Sequence, residues 1–221
     1  MTMRNARRTG TVGLAIAGLV LIGVTPAQAA DWEAVSAGSL GSANLILDGE
    51  PAGIEPIAAC DSEDATSGST SGAEIEDFVE FASGSTTCTR DESNGVATAR
   101  VIGGRFRLDG LRSYGGPRIR MTSYSATCNT TATGSQASFQ FTGLTGVEVP
   151  SNMPPNHKVT IPGRRPHAKP LATIVFNEKI VPSPPDGSMT VNLMHIKLFP
   201  KGPATRPSGD IVVGSVSCAP F

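Results

Sequence analysis

Four arginines alternate with apolar residues in two short runs, Arg105-Phe106-Arg107-Leu108 and Arg118-Ile119-Arg120-Met121. Successive side chains of a β-strand point to opposite faces, so this spacing puts the four guanidinium groups on one face. Symmetric pairing about the intervening DGLRSYGGP sets Arg107 opposite Arg118, Arg105 opposite Arg120, and Phe106 opposite Ile119 on the core face. Like charges directly opposite one another destabilise a sheet, so an anionic group is expected over the arginines. The protein's own acidic segment, Glu74–Glu80, is one source, and an external polyanion such as a cell-wall polymer is another. Arg164-Arg165, in the basic and Pro-rich PGRRPHAKP, adds a second cationic element. It suits a polyanion contact, a protease-inhibitor bait, or a plain exposed connector.

Asn177, Glu178, Asn192 and His195 form a second group. They sit in two runs that flank VPSPPDGS, so a hairpin there could bring a carboxylate to an imidazole, the raw material of general acid–base chemistry. The simpler role is structural: Asn177 and Asn192 hydrogen-bond across the hairpin and hold its shape. No serine lies in a G-x-S-x-G elbow, since Gly68–Gly72 has Thr70 at its centre. His157, His167 and His195 lack metal-ligand spacing, and Asp61, Glu63 and Asp64 do not follow an EF-hand loop. No catalytic residue, metal or cofactor is assigned on these grounds. Trp32, Tyr114 and Tyr124 beside the phenylalanines offer little for a sugar-stacking platform, and no basic-aromatic nucleic-acid surface is indicated.

These groups must be positioned by strands. Met1–Arg8 carries Arg4, Arg7 and Arg8, Val12–Val24 is apolar, and Ala27-Gln28-Ala29 is a small-x-small cleavage signature. Residues 1–29 therefore read as a secretory signal peptide, with no membrane segment left after cleavage. The remainder, 30–221, is poor in aromatics, rich in Gly, Ser, Thr and Pro, and free of long helical periodicity. About ten short strands with regular turn signals read as one all-β, sandwich-like domain. Trp32–Val35, Ser39–Leu47 and Ile54–Cys60 are candidate opening strands, and 61–74 is an acidic Gly/Ser-rich loop. Ile75–Phe81 fits either a strand or a short helix. Leu171–Cys218 closes the domain as a hairpin plus a return strand.

Cys60, Cys88, Cys128 and Cys218 are even in number in an exported chain, which implies two disulfides. Three connectivities are open; Cys60–Cys88 and Cys128–Cys218 are expected, the first closing the acidic loop and the second tying the last strand to mid-domain. Charge is split along the chain. From Asp31 to Glu92 fourteen acids face one arginine, while from Ser93 onward five acids face fourteen Lys and Arg. Such a split points to mutual neutralisation within the fold, or to oppositely charged partners for two faces.

From Val96 to Cys218 the chain resembles the choice-of-anchor P family of exported bacterial proteins. The likeness rests on ATARVIGG, GGPRIRMTSYSATC, LTGVEVPSNMPPNHKVTIPG, ATIVFNEK, MTVNLMHIKL and GDIVVGSVSC. The resemblance carries no enzymatic activity with it and implies a surface protein attached by a C-terminal anchor. Phe221 is preceded by no sorting motif, apolar span or basic tail. Free secretion or loose wall association is therefore expected. The leading expectation is a non-catalytic extracellular or cell-envelope structural or binding protein, its partner an anionic wall polymer or another extracellular protein. The alternatives are a secreted hydrolase centred on Glu178 and His195, or an inhibitor acting through Arg164-Arg165.

Overall fold

The computed structural model describes residues 34–91, 93–165, 167–200 and 206–220. The segment expected to be a signal peptide, residues 1–29, and Trp32 lie outside the described residues. Fourteen strands run through them: β1 (Val35–Leu47), β2 (Glu50–Ile54), β3 (Cys60–Asp61), β4 (Ser67–Ile75), β5 (Val79–Asp91), β6 (Val96–Gly103), β7 (Phe106–Leu108), β8 (Ile119–Met121), β9 (Ser123–Thr131), β10 (Gly134–Thr142), β11 (His157–Ile161), β12 (Ala172–Ile180), β13 (Met189–Leu198) and β14 (Ser208–Ala219).

They form two antiparallel sheets packed face to face, a β-sandwich. The first sheet has the order β11-β12-β13-β14-β1-β2, with β3 also paired to β1. The second is in effect a meander, β4, β5, β6 with β7, β9 with β8, then β10, each hydrogen-bonded to the next. Its turns are local. The first sheet is closed by the ends of the chain, because β1 pairs with β14 from Val35↔Ala219 to Ile46↔Ser208. Asp48-Gly49 joins β1 to β2 with φ of 51° and 89°, the left-handed pair that a tight two-residue hairpin turn requires.

The core is graded. At one end it holds Phe81, Phe106, Leu108, Ile119, Met121, Ile174 and Phe176, each at most 1 % exposed. The rings of Phe81 and Phe106 meet at 5.2 Å. At the other end the row Cys88, Ala99 and Cys128 faces Gly38, Cys60 and Cys218. Both expected disulfides are formed, and both cross between the sheets. Cys60–Cys88 and Cys128–Cys218 have Cα separations of 5.7 and 6.0 Å. Stacked sheets ordinarily lie about 10 Å apart, so small side chains and cystines let the layers converge there, while the phenylalanines hold them open at the far end.

A fault crosses the first sheet. The ladder skips one row, Asn177, Leu193, Gly214 and Leu40, and then resumes in the same register on every strand. Asn177 and Gly214 take φ of 50° and 63°. In β13 the buried alternation changes phase across this row, from Met189, Val191 and Leu193 to Met194, Ile196 and Leu198. Two adjacent rows thus face inward. Tyr124 of the second sheet fills the gap, its hydroxyl donating to the Leu40 carbonyl at 2.8 Å. Burial pushes the Tyr124 phenol above its ordinary pKa.

Several expected boundaries move. Ser39–Leu47 is part of one strand that begins at Val35. Ile54–Cys60 is not a strand: it holds the end of β2, a turn and the start of β3. The acidic loop expected over 61–74 is a loop only to Thr66; from Ser67 the chain is β4, paired to β5. Its Ser, Gly and Thr side chains bury little, and pairing with β5 supplies the stabilisation that local propensity lacks. Ile75–Phe81 divides into the end of β4, a turn at Glu76-Asp77-Phe78 and the start of β5.

Candidate anion-binding site

Arg105, Arg107 and Asp109 occupy alternate positions along β7 and its exit, so they leave the sheet on one side. The β5–β7 ladder sets Glu80 directly opposite Arg107. Glu80 bridges Arg105 and Arg107, the latter at 2.8 Å. Asp109 bridges Arg107, at 2.9 Å, and Arg118. The two carboxylates are sheltered, with side chains 16 % and 15 % exposed. An internal chain of alternating charge, Arg105–Glu80–Arg107–Asp109–Arg118, therefore covers the arginine face.

The arginine pairing differs from the expected one. Arg107 lies opposite Arg120, not Arg118; Phe106 faces Met121 and Leu108 faces Ile119. The expected Arg105–Arg120 and Phe106–Ile119 pairs are likewise displaced by two residues, which leaves every side chain on its intended face. The cause is the connecting loop. A 3₁₀ turn at Arg112–Tyr114, closed by Gly116 N–H donating to the Leu111 carbonyl at 2.9 Å, leaves Pro117 and Arg118 out of the ladder. Arg118 is thereby free to reach Asp109.

That loop meets two others. Gly115 lies under the stem of Arg164, so closely that a Cβ there would sit 2.9 Å from Arg164 Cδ. Leu171, at the end of the Arg164-Arg165 loop, donates its N–H to the Ile161 carbonyl at 2.9 Å and accepts from Phe199 N–H at 2.8 Å. Tyr114 meets Phe199 edge-on at 4.8 Å, and the Arg206 guanidinium stacks over both rings at 5.4 Å. The 109–117 loop of the second sheet and the loops after β11 and β13 of the first thus converge at the wide end of the sandwich. They bring the Arg112, Arg164-Arg165 and Arg206 segments to one end, next to Arg118, which is held by Asp109. Arg112, Arg164 and Arg165 are exposed and form no ion pair among the described residues. Exposed Arg120 lies two residues beyond Arg118. Sequence reasoning named Arg164 and Arg165 but missed Arg112, Arg206 and Asp109. Asp109 was accessible, because it continues the period-two pattern of Arg105 and Arg107; Arg206 was not, because only the fold brings it to Tyr114.

The hairpin group lies on the outer face of the first sheet, at the fault. Glu178 and Asn192 are directly paired, and Asn192 Nδ2 donates to Glu178 Oε2 at 2.7 Å. Asn192 therefore serves Glu178, while the Asn177 carbonyl accepts from Asn156 N–H at 2.8 Å. His195 Nδ1 is 2.8 Å from Glu178 Oε1, and Nε2 is 2.9 Å from Asp210 Oδ1. Ionised carboxylates only accept, so this arrangement calls on both ring nitrogens to donate and favours the imidazolium. Burial works against that charge, but the hydrogen bonds that the ring donates to Glu178 and Asp210 outweigh it and raise the His195 pKa above its ordinary 6.5. In that protonated form the ring has no free lone pair with which to take a proton from a nucleophile.

Asp61 Oδ1 accepts N–H bonds from Glu63 at 2.9 Å and Asp64 at 2.5 Å, which lowers its pKa and commits it to shaping its own turn. Among the described residues, no three His, Cys, Asp or Glu side chains are grouped to hold a metal ion. No family model, curated protein or solved structure matches this chain.

Proposed function

We propose that the chain is an exported, non-catalytic protein of the extracellular space or cell envelope, and that its cationic three-loop end is the contact for an anionic wall polymer. The convergence of Arg112, Arg164, Arg165 and Arg206 on one end, where Arg112, Arg164 and Arg165 are exposed and form no ion pair among the described residues, is the observation that carries this reading. Planar guanidinium forks suit phosphate and carboxylate groups, and exposed arginines keep that capacity only where no internal carboxylate consumes it. The arginine face along β7 is the poorer candidate for the same reason, since Glu80 and Asp109 already neutralise most of it. Export is supported by the leader-like N-terminus and by two cystines, which persist in oxidising compartments. The resemblance to choice-of-anchor P proteins points the same way. A hydrolytic centre at Glu178 and His195 is the weaker reading, because both imidazole nitrogens are occupied.

Co-sedimentation with purified cell wall tests the proposal. Binding is expected at low ionic strength and should weaken as salt is added. The combined Arg112→Ala, Arg164→Ala, Arg165→Ala variant should bind about tenfold more weakly, from three exposed contacts of roughly 0.5 kcal/mol each. Protein left wholly in solution, or binding indifferent to these substitutions, overturns it.

A further inference from the structure

Both sheets are open, and their edges are not alike. β2 carries Glu50 and Pro51, β3 is two residues long, and β11 carries His157 and Lys158. On the second sheet, β8 has three residues and Arg120, and β4 carries Glu74 and a left-handed Gly72 at φ 140°. Charges, proline, short length and irregular backbone are the devices that keep exposed strand edges from pairing with other chains. β10 bears no charge and no proline, is nine residues long, and has its left-handed residue, Gly134 at φ 146°, only at its first position. Its nine residues, GSQASFQFT, include no ionisable side chain and no proline, and they pair without interruption to β9 from Gly134↔Thr131 to Thr142↔Ser123. Beyond that ladder, its two ends are also bonded: Gly134 O accepts from Thr131 Oγ1 at 3.0 Å and Thr142 O from Thr122 N–H at 2.9 Å.

A groove of about 650 Å³ runs beside the second half of β10, between Phe139–Thr142 and Val149–Met153. Phe139 and Phe141 lie on its core-facing side, half-buried, their rings parallel at 6.4 Å. No strand pairs with the outer side of β10, and the Val149–Met153 segment lies across the groove from these rings. A strand laid there would cover them and would meet unused backbone donors and acceptors.

We propose that β10 is a self-association edge, pairing antiparallel with β10 of a second copy about a two-fold axis. Charge selects the occupant. A two-fold operation sets a strand against itself, so any charge it bears faces a like charge or lies near one. Antiparallel pairing of β10 with itself brings together only Gly, Ser, Gln, Ala, Phe and Thr. The result is one continuous second sheet shared by two sandwiches, with the cationic ends left exposed.

Sedimentation velocity or light scattering behind size exclusion, from about 1 to about 200 µM, reads this directly; pairing of modest area falls in that range. A monomer–dimer equilibrium is expected. Ser138→Lys, on the exposed side of β10, should weaken dimerisation at least tenfold with an unchanged thermal transition, and Gln136→Lys should do the same. Ser69→Lys on the β4 edge should leave dimerisation as it is. A monomer throughout the range overturns the proposal. So does a dimer insensitive to both β10 lysines, or one lost equally with Ser69→Lys. If Ser138→Lys fails to fold, Gln136→Lys supplies the same reading.

Discussion

His195 shows how position decides what a titratable side chain can do. The same ring beside a single carboxylate would be a usable base, but between Glu178 and Asp210, with Lys197 Nζ 3.7 Å from Asp210, it is a cationic tie across β12, β13 and β14. Its pKa is raised on folding, so its contribution to stability is fully present below about pH 6.5, the unfolded value, and disappears as pH climbs through the higher folded value. Chemical denaturation at a series of pH values should therefore show stability falling above pH 6.5 in the native protein. His195→Gln should flatten that slope. A native protein whose stability rises over that interval would contradict the double ion pair. Neither neighbour was certain from spacing alone: Glu178 was placed near His195 by the hairpin, but Asp210 enters only through the return strand.

Among the elements, the fault row carries the most structural information. A uniform strand pattern cannot place Leu193 and Met194 both in the core, yet both are fully buried. The sheet accommodates them because Asn177 and Gly214 turn left-handed in the skipped row. Gly214→Ala would hold an L side chain at φ 63° and set its Cβ 3.3 Å from both Leu193 Cβ and Tyr124 Cδ2. A loss of about 1–2 kcal/mol is expected in denaturant unfolding. Gly53→Ala, on the exposed β2 edge with its nearest neighbour 3.5 Å away, should change stability by less than about 0.5 kcal/mol. Equal effects at the two glycines would mean that the fault is not strained in the way described. The sequence did announce the elements bounded by strong turns, such as β12 and β13 around VPSPPDGS and the alternating arginine strands. It concealed β4, whose small polar residues look like a loop until β5 is beside them, and it concealed the fault, since a one-residue change of phase is invisible when Leu, Met and Asn follow one another. The two-residue displacement of the arginine hairpin was hidden in a 3₁₀ turn that only packing against Arg164 and Leu171 explains.

Over the whole molecule, two cystines join the converging ends of two layers. Their sequence separations are 28 and 90. On the chain-entropy account, these closures contribute about 3.6 and about 4.6 kcal/mol. Removing Cys128–Cys218 as a double alanine variant should therefore cost about 1 kcal/mol more than removing Cys60–Cys88, by equilibrium denaturation at equal pH. The reverse order would assign the stabilisation to native contacts around the sulfurs instead. The all-β class and the single sandwich were available from composition and turn spacing; cysteine position left three pairings open, and the expected one is the one formed. The cationic end was available only in fragments, because Arg112, Arg164 and Arg206 come from three loops that are distant in sequence.

The pairing of β1 with β14 sets an order of events for the nascent chain. The β4–β10 meander links neighbours in sequence and closes short loops, whereas the centre of the other layer must wait for its last dozen residues. A polypeptide threading through a narrow export pore N-terminus first would carry β1 out early and leave it without its mate until the very end. The topology thus defers completion of the first sheet until β14 is available to pair with β1.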